Sequence, residues 1–164
     1  MRWRTRGSSS GCFITVLLGV IFFAVGIGLS WWGWRILQNA QVSESWPSTS
    51  GEITASSIRT DHDDDGTTYH AEVRFAYVVD DQRYNEDTVS FGQYGSSNRS
   101  HAEEIVSRYP TGQAVTVYYD PADPATAVLE PGVTWSSYMI LGMGLLFAII
   151  AVFLLLGTLL GIRR

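Results

Sequence analysis

The stretch CFITVLLGVIFFAVGIGLSWWGW, residues 12–34, decides the architecture of this chain. It contains no charged residue, and a second uncharged stretch, YMILGMGLLFAIIAVFLLLGTLLGI, occupies residues 138–162. A bilayer core of ~30 Å requires about 20 apolar residues in a helix, because only a helix satisfies its own backbone hydrogen bonds where water is absent. The sequence therefore predicts a membrane protein with two transmembrane helices.

Charged residues are distributed unevenly along the chain. The 164 residues include 16 acidic residues and 11 arginines but no lysine, which gives a net charge of −5. Residues 35–132 contain all 16 acidic residues and six arginines, a net charge of −10. The other five arginines lie at the two ends: Arg2, Arg4, Arg6, Arg163 and Arg164. Because arginines beside a span are retained in the cytoplasm, we expect both termini inside and residues 35–137 outside a plasma or inner membrane.

Aromatic residues mark the same ends of both spans. Trp31, Trp32 and Trp34 close the first span, while Trp135 and Tyr138 open the second, as expected if all five lie at one interface. A cleaved signal peptide is the alternative for the first segment, since arginines followed by an apolar run also begin a secretory signal. The run is longer than a signal core of ~7–15 residues, and tryptophans stand where a cleavage site needs small residues. The pattern favours an uncleaved anchor.

Small residues in both spans have the spacing that lets helix backbones approach closely. Ala24 with Gly28, and Gly157 with Gly161, predict packing between the two spans or between two copies of the protein. The expected partners are therefore the lipid bilayer and, through helix packing, another envelope protein or the chain itself. Cys12 is the one cysteine of the sequence, so no disulfide is expected in the loop.

Between the spans, the apolar residues alternate with polar ones, which is typical of strands with one buried face. The clearest strand is predicted at Tyr69–Val79. Further strands are predicted at 51–59, 82–89, 115–119 and 127–129. The residues expected to face the core from the clearest strand are Tyr69, Ala71, Val73, Phe75, Tyr77 and Val79.

The connections between these strands have their own signals. A polar connection is expected over residues 60–66, and Asp80-Asp81 is expected to form a turn. Ser100-His101-Ala102-Glu103 fits a capping box, which predicts a short helix over residues 101–108. The loop is thus predicted to be a small mixed, mainly antiparallel β domain of about five strands and one short helix, as a curled sheet or open barrel.

The expected domain organisation follows from these segments. Connectors this short should hold the domain close to the membrane. In chain order we expect a cytoplasmic tail at 1–11, a transmembrane helix at 12–34, a connector at 35–45, an extracytoplasmic β-rich domain at 46–130, a connector at 131–137, a transmembrane helix at 138–162 and a cytoplasmic tail at 163–164.

Several motifs resemble those of a known family. They are Trp46-Pro47 followed by Gly51-Glu52-Ile53, and YPTG at 109–112 followed by VTVYYDPADP at 115–124. With the aromatic strand at 69–79, they resemble a widespread, mostly bacterial family of two-pass membrane proteins that is catalogued only as a domain of unknown function. The resemblance implies a β-rich domain between two spans and no catalytic residues.

One residue departs from the family pattern. The family usually has a glycine in the turn before the third strand, where this chain has Asp81.

No pattern in the sequence points to catalysis. A nucleophile with a base, a metal cluster and a phosphate-binding loop are all missing at the spacing they require. His62, His70 and His101 are scattered and are expected in solvent. The acidic loop would repel phosphates, which excludes nucleic acid as a partner. We therefore expect a non-enzymatic, membrane-anchored binding or accessory module of the cell envelope. The alternatives are a membrane-bound enzyme of unrecognised type and a weakly calcium-responsive envelope domain.

One metal-binding motif stands out. Residues 61–66, DHDDDG, followed by Glu72 match the calcium-loop pattern D-x-D-x-D-G-x5-E. A full site needs the last glutamate to fold back from a helix, whereas a strand would carry Glu72 roughly 10 Å beyond Tyr69. The expectation is an exposed acidic connection, or a weak calcium half-site of Asp61, Asp63 and Asp65 with a dissociation constant of ~10⁻⁴–10⁻³ M. No other cofactor is expected.

Overall fold

The computed structural model describes residues 9–64 and 66–162. The described residues divide into a helical unit, drawn from Met1–Arg35 and Tyr138–Arg164, and a sheet unit, Ile36–Ser137. The elements in chain order are α1 (Ser9–Ser43), β1 (Ser48–Asp63), β2 (Gly66–Val79), β3 (Gln82–Glu86), α2 (Arg99–Arg108), β4 (Ala114–Asp120), β5 (Asp123–Val128) and α3 (Trp135–Ile162).

The predicted fold class is confirmed. Two helices that are long and apolar enough to cross a membrane, within Phe13–Ser43 and Trp135–Thr158, flank a five-stranded antiparallel sheet with one short helix. The connector expected at residues 35–45 is helical as far as Ser43.

Glycines on α1 bring it into backbone contact with α3 inside the helical unit. A β-carbon on Gly26 would lie 2.7 Å from the backbone nitrogen of Ala148, and one on Gly33 would lie 2.5 Å from that of Leu141. A β-carbon on Gly19, seven residues before Gly26, would instead meet the side chain of Leu155, 2.9 Å from its Cδ2. Any side chain on Gly26 or Gly33 would therefore push the antiparallel pair of helices apart.

Of the two alternatives for the small residues, packing between the two spans does not involve Gly28 or Gly157 in the described part of the chain. A β-carbon on Gly28 or on Gly157 would meet no described atom within 4 Å. The spacing of four residues identifies a face that allows close approach but does not say whether that face is turned toward the other span. Packing of Gly28 and Gly157 against a second copy of the chain stays a prediction.

The strands follow the order β3-β2-β1-β4-β5, so β1 is the central strand. The edge strands β3 and β5 also contact each other, and the Tyr77 hydroxyl donates to the Pro124 carbonyl at 2.6 Å. The sheet is therefore curled toward an open barrel, as predicted. Its interior is filled by α2 and by the predicted face of β2, where Tyr69 is partly buried and these residues are buried: Ala71, Val73, Phe75, Tyr77 and Val79.

A β-bulge at Thr54 sets which residues of β1 face the interior. Ile53 lies opposite Phe75, but Ala55 lies opposite Arg74, so Thr54 is an extra residue in the ladder. In a regular strand, Ile53 and Ile58 would face opposite sides, because five residues separate them. The bulge reverses the alternation and turns both isoleucines toward the core.

The polar connection predicted at residues 60–66 is wrong, because the ladder continues through it. β1 and β2 stay paired as far as Asp63 and Gly66, while β4 accompanies β1 only from Ser48 to Glu52. Residues 54–64 and 66–74 thus form a two-stranded extension of the sheet, called the arm below. Its threonines favour a strand, and backbone pairing does not require an apolar face at the tip.

Two local predictions are refined by the structure. Asp80 and Asp81 have φ angles of 50° and 63°, which defines a type I′ turn between β2 and β3. The capping box at Ser100 is wrong: Asn98 caps α2 instead, because its Oδ1 accepts from the Ser100 N–H at 3.0 Å. Glu103 is drawn away to Arg99, whose Nε lies 2.8 Å from the carboxylate.

Candidate functional site

A cleft of about 570 Å³ lies between the polar face of the arm and the segment 87–95. Charged, aromatic and hydrogen-bonding side chains share its lining. Those used below are Arg59, His70, Glu72, Asp87, Gln93 and Tyr94.

The arm supplies one wall of the cleft. Arg59 and His70 are directly opposed in the β1–β2 ladder, and Glu72 lies on the same face. The Arg59 guanidinium lies 3.1 Å from the Asp61 carboxylate and 3.5 Å from that of Glu72, while His70 Nε2 lies 3.4 Å from the same Asp61 oxygen. These side chains are half-exposed, so the pairs add little stability. Their effect is to fix where the charges stand.

The segment 87–98 supplies the other wall and is fixed to β2 at two points. Tyr69 and Ser96 exchange both backbone hydrogen bonds, at 2.8 and 3.0 Å. The Gln93 side chain donates to the Ala71 carbonyl at 2.9 Å and accepts from the Val89 N–H at 3.2 Å. The cleft is therefore held in shape by backbone contacts of the arm.

Glycine is required where this segment crosses the arm. A β-carbon on Gly95 would lie 2.2 Å from Cε1 of His70, so the histidine ring occupies the space of the missing side chain. His70, expected in solvent, is instead partly covered. Tyr94 stacks on His101 with ring centroids 4.9 Å apart and presents its exposed ring at the cleft.

A second depression of about 440 Å³ adjoins the cleft and shares Asp87 with it. Arg74 lines this depression from β2. Neither Asp87 nor Arg74 forms an ion pair with any residue of the described part of the chain. Two charges of opposite sign therefore face the combined surface without partners.

Residues 49–134 match the family described as a domain of unknown function, DUF3592, over more than half of the chain. The chain belongs to the DUF3592 family. The resemblance predicted from the motifs is thereby confirmed. No curated protein matches the chain.

Two phenol groups of the DUF3592 domain, one buried and one partly buried, have raised pKa values. Burial, followed by the charge of Glu86, raises the pKa of Tyr77 to about 12. Burial also raises the pKa of Tyr109, and its hydrogen bond of 2.8 Å to the Glu130 carboxylate adds to the rise. Both hydroxyls therefore stay protonated near neutral pH and act as hydrogen-bond donors.

The calcium-motif residues of the DUF3592 domain lie in the arm. Asp61 and Asp63 belong to β1, where they oppose Thr68 and Gly66, and Asp65 lies outside the described residues. The Glu72 carboxylate is paired with the Arg59 guanidinium and not with the acidic residues near the end of the hairpin. Among the residues that the structure describes, no three His, Cys, Asp or Glu side chains are grouped to hold a metal. The weak half-site stays a prediction.

Sequence analysis missed the residues that build the cleft of the DUF3592 domain. Gln93 and Tyr94 belong to a segment without apolar periodicity. Asp87 falls in the strand predicted at 82–89, but β3 ends at Glu86, and Arg74 lies on the polar face of β2. The glycines at positions 92 and 95 were the available signal, since glycine marks close approach of backbone to another group.

Proposed function

We propose that this protein is an envelope module, anchored in a membrane by α1 and α3, that holds its sheet unit outside the cytoplasm and binds a partner without catalysis. The two apolar windows have mean hydropathies of 2.5 and 2.9, and only 11% of each is buried. A core helix of a soluble protein would be mostly buried. The five terminal arginines support a cytoplasmic location of both ends.

The cleft is the observation that carries the binding role. Its walls offer the paired charges of Arg59 and Glu72, the free carboxylate of Asp87 and the exposed ring of Tyr94. Such a surface suits a polar partner with both charges and hydrogen-bonding groups, either a segment of another envelope protein or a cell-wall component. Because the segment 87–98 is already fixed to β2 by hydrogen bonds, binding of a partner costs little conformational entropy in this segment.

The test is capture of partners by the full chain from detergent-solubilised membranes. The wild-type protein should retain a stoichiometric protein or wall fragment, and Asp87→Asn combined with Arg74→Gln should lose it. Glu104→Gln, an exposed change on α2, is the matched control and should retain the partner. A partner that survives the cleft variant would show that the cleft is not the site. If the chain is recovered alone and the purified protein turns over a wall fragment, the function is catalytic and the proposed binding role is wrong.

The orientation has a separate test. A reporter that is active only outside the cytoplasm should be active when inserted after the exposed Ser97, and inactive when fused after Arg164. Activity at both positions would contradict the proposed topology.

A further inference from the structure

The outer edge of the arm is an open strand. Within the described ranges, β1 has no neighbour on its second side after its contacts with β4 and Gln113 end at Ile53. The corresponding edge of β2 is covered, because Ser96 pairs with Tyr69 there. Tyr69 directs its backbone N–H and C=O to Ser96 and thus away from β1, so the opposite residue, Thr60, directs its own groups to the open edge. Free backbone N–H and C=O groups, a template for another strand, therefore belong to every second residue: Ser56, Ile58, Thr60 and His62.

The side chains along this edge leave it accessible. Ser57, Arg59, Thr60 and Asp61 are all exposed, and the segment contains neither proline nor lysine. Charge on an edge strand usually discourages pairing with another strand. On the polar face of this edge, the basic Arg59 is followed by the acidic Asp61 and Asp63, so a partner with an acidic residue opposite Arg59 and a basic residue opposite Asp61 is favoured.

We propose that the occupant of this edge is a second copy of the chain, with the two β1 strands antiparallel about a two-fold axis at Thr60. Such an axis, perpendicular to the sheet, keeps the polar faces of both copies on one side. With this symmetry, the residue on the axis lies opposite the same residue of the second copy. An axis at Arg59 would place two arginines opposite each other, and an axis at Asp61 two aspartates; like charges in opposed positions destabilise a sheet.

The register centred on Thr60 removes that conflict. It places Arg59 opposite Asp61 of the second copy, twice by symmetry, and Thr60 opposite Thr60, a favourable cross-strand pair. Asp63 then faces Ser57, so the acidic tips stay apart. The Arg59–Asp61 contact of 3.1 Å within each chain becomes half of an alternating cluster of four charges. The arm would extend into a four-stranded sheet, β2-β1-β1-β2.

A disulfide trap distinguishes this register. One pair of strands is small beside the ~1,200–2,000 Å² of stable interfaces, so cross-linking is the suitable measurement. In the full chain with Cys12→Ser, Thr60→Cys should give a linked dimer under mild oxidation, because opposed β-carbons in a sheet lie ~4.5–5.5 Å apart. Ser57→Cys is the register control, since its two copies would lie roughly 20 Å apart. Ser97→Cys controls for random collision.

Charge reversal supplies an independent readout. Arg59→Asp and Asp61→Arg should each reduce the Thr60→Cys dimer about tenfold, and the double reversal should restore it. Sedimentation of the full chain without the Thr60→Cys change should rank the charge variants in the same order by their fraction of dimer. Melting temperatures identify any variant that has lost its fold. A folded Thr60→Cys protein that does not cross-link, equal cross-linking through Ser57→Cys, or a failure of the double reversal to restore the dimer would overturn the proposal.

Discussion

The buried hydroxyl of Ser43, at the end of α1, accepts a hydrogen bond from the backbone N–H of Gly132 at 3.0 Å. The same hydroxyl donates to the Ala40 carbonyl at 2.8 Å. The segments that enter and leave the sheet unit are therefore bound to each other. Nearby, the Trp46 ring meets Phe91 edge-on at 5.8 Å, and the Ser137 hydroxyl donates to the Phe91 carbonyl at 2.8 Å.

These contacts predict the limits of an autonomous domain. Residues 46–130 and residues 36–137, expressed alone, should both give β-type circular dichroism spectra, and the longer fragment should melt at the higher temperature. Ser43→Ala in the longer fragment should cost about 1–3 kcal/mol, because it leaves the Gly132 N–H buried without an acceptor. Ser45→Ala, which removes an exposed hydroxyl, is the control. Equal melting of the two fragments would mean that the connectors add nothing.

A second prediction concerns the helical unit. Gly26→Leu should destabilise the full chain in detergent, because its side chain would be forced against the backbone of Ala148. Overpacking of this kind costs about 1–3 kcal/mol. Gly28→Leu, two residues away and facing open space, should be tolerated. Thermal unfolding of both variants in the same detergent is the measurement, and equal losses would argue against this helix contact.

The turn between β2 and β3 yields a third prediction. Asp81→Gly should raise the free energy of unfolding by about 0.5–1 kcal/mol, because glycine adopts the positive φ of a type I′ turn without strain. Asp81→Val should lower it by about 1–2 kcal/mol. Asp81→Asn removes the charge but keeps a residue that tolerates a positive φ. It therefore distinguishes charge repulsion between Asp80 and Asp81 from backbone strain. Urea titrations of the sheet unit would measure all three.

Alkaline pH should destabilise the sheet unit through these two phenols, Tyr77 and Tyr109. An unfolded tyrosine titrates near pH ~10, whereas folding raises the pKa of Tyr77 to about 12. The unfolded state therefore loses this proton first, so stability is fully present below pH ~10 and falls as pH rises from there through the folded pKa. Tyr109 acts in the same direction. Tyr77→Phe and Tyr109→Phe should each flatten this dependence, and an unchanged slope in the double variant would contradict the assignment.

Calcium should have only a small effect on this protein. At ~1 mM calcium, a half-site with a dissociation constant of ~1 mM stabilises the folded state by about 0.4 kcal/mol, which raises the melting temperature slightly. Asp61→Asn and Asp63→Asn should remove that rise. A micromolar calorimetric titration abolished by Asp63→Ala and Glu72→Ala would instead require a loop that departs from the paired arm.

The elements that one local pattern determines could be predicted from the sequence. The alternation from Tyr69 to Val79 needs no other part of the chain to define a buried face, and the two apolar runs need only their length. The elements that depend on contacts between residues distant in sequence could not be predicted. The polar residues 60–66 become strand because of pairing across the hairpin, and the cleft depends on Gln93 reaching the Ala71 carbonyl. Neither contact leaves a periodic signal.

The extra residue at Thr54 also constrains how this strand can change in length. Deleting Thr54 itself would make the ladder regular and keep Ile53 and Ile58 on one face, because four residues would then separate them. A single insertion between Ser57 and Ile58 would instead turn Ile58 to solvent, since a shift of one residue exchanges the two faces, unless a second bulge absorbed it. Beyond Asp63 and before Gly66, however, equal numbers of residues added to both strands preserve every face. The arm is thus free to vary in reach by paired insertions at its tip, whereas a single insertion in its base needs a further bulge to absorb it.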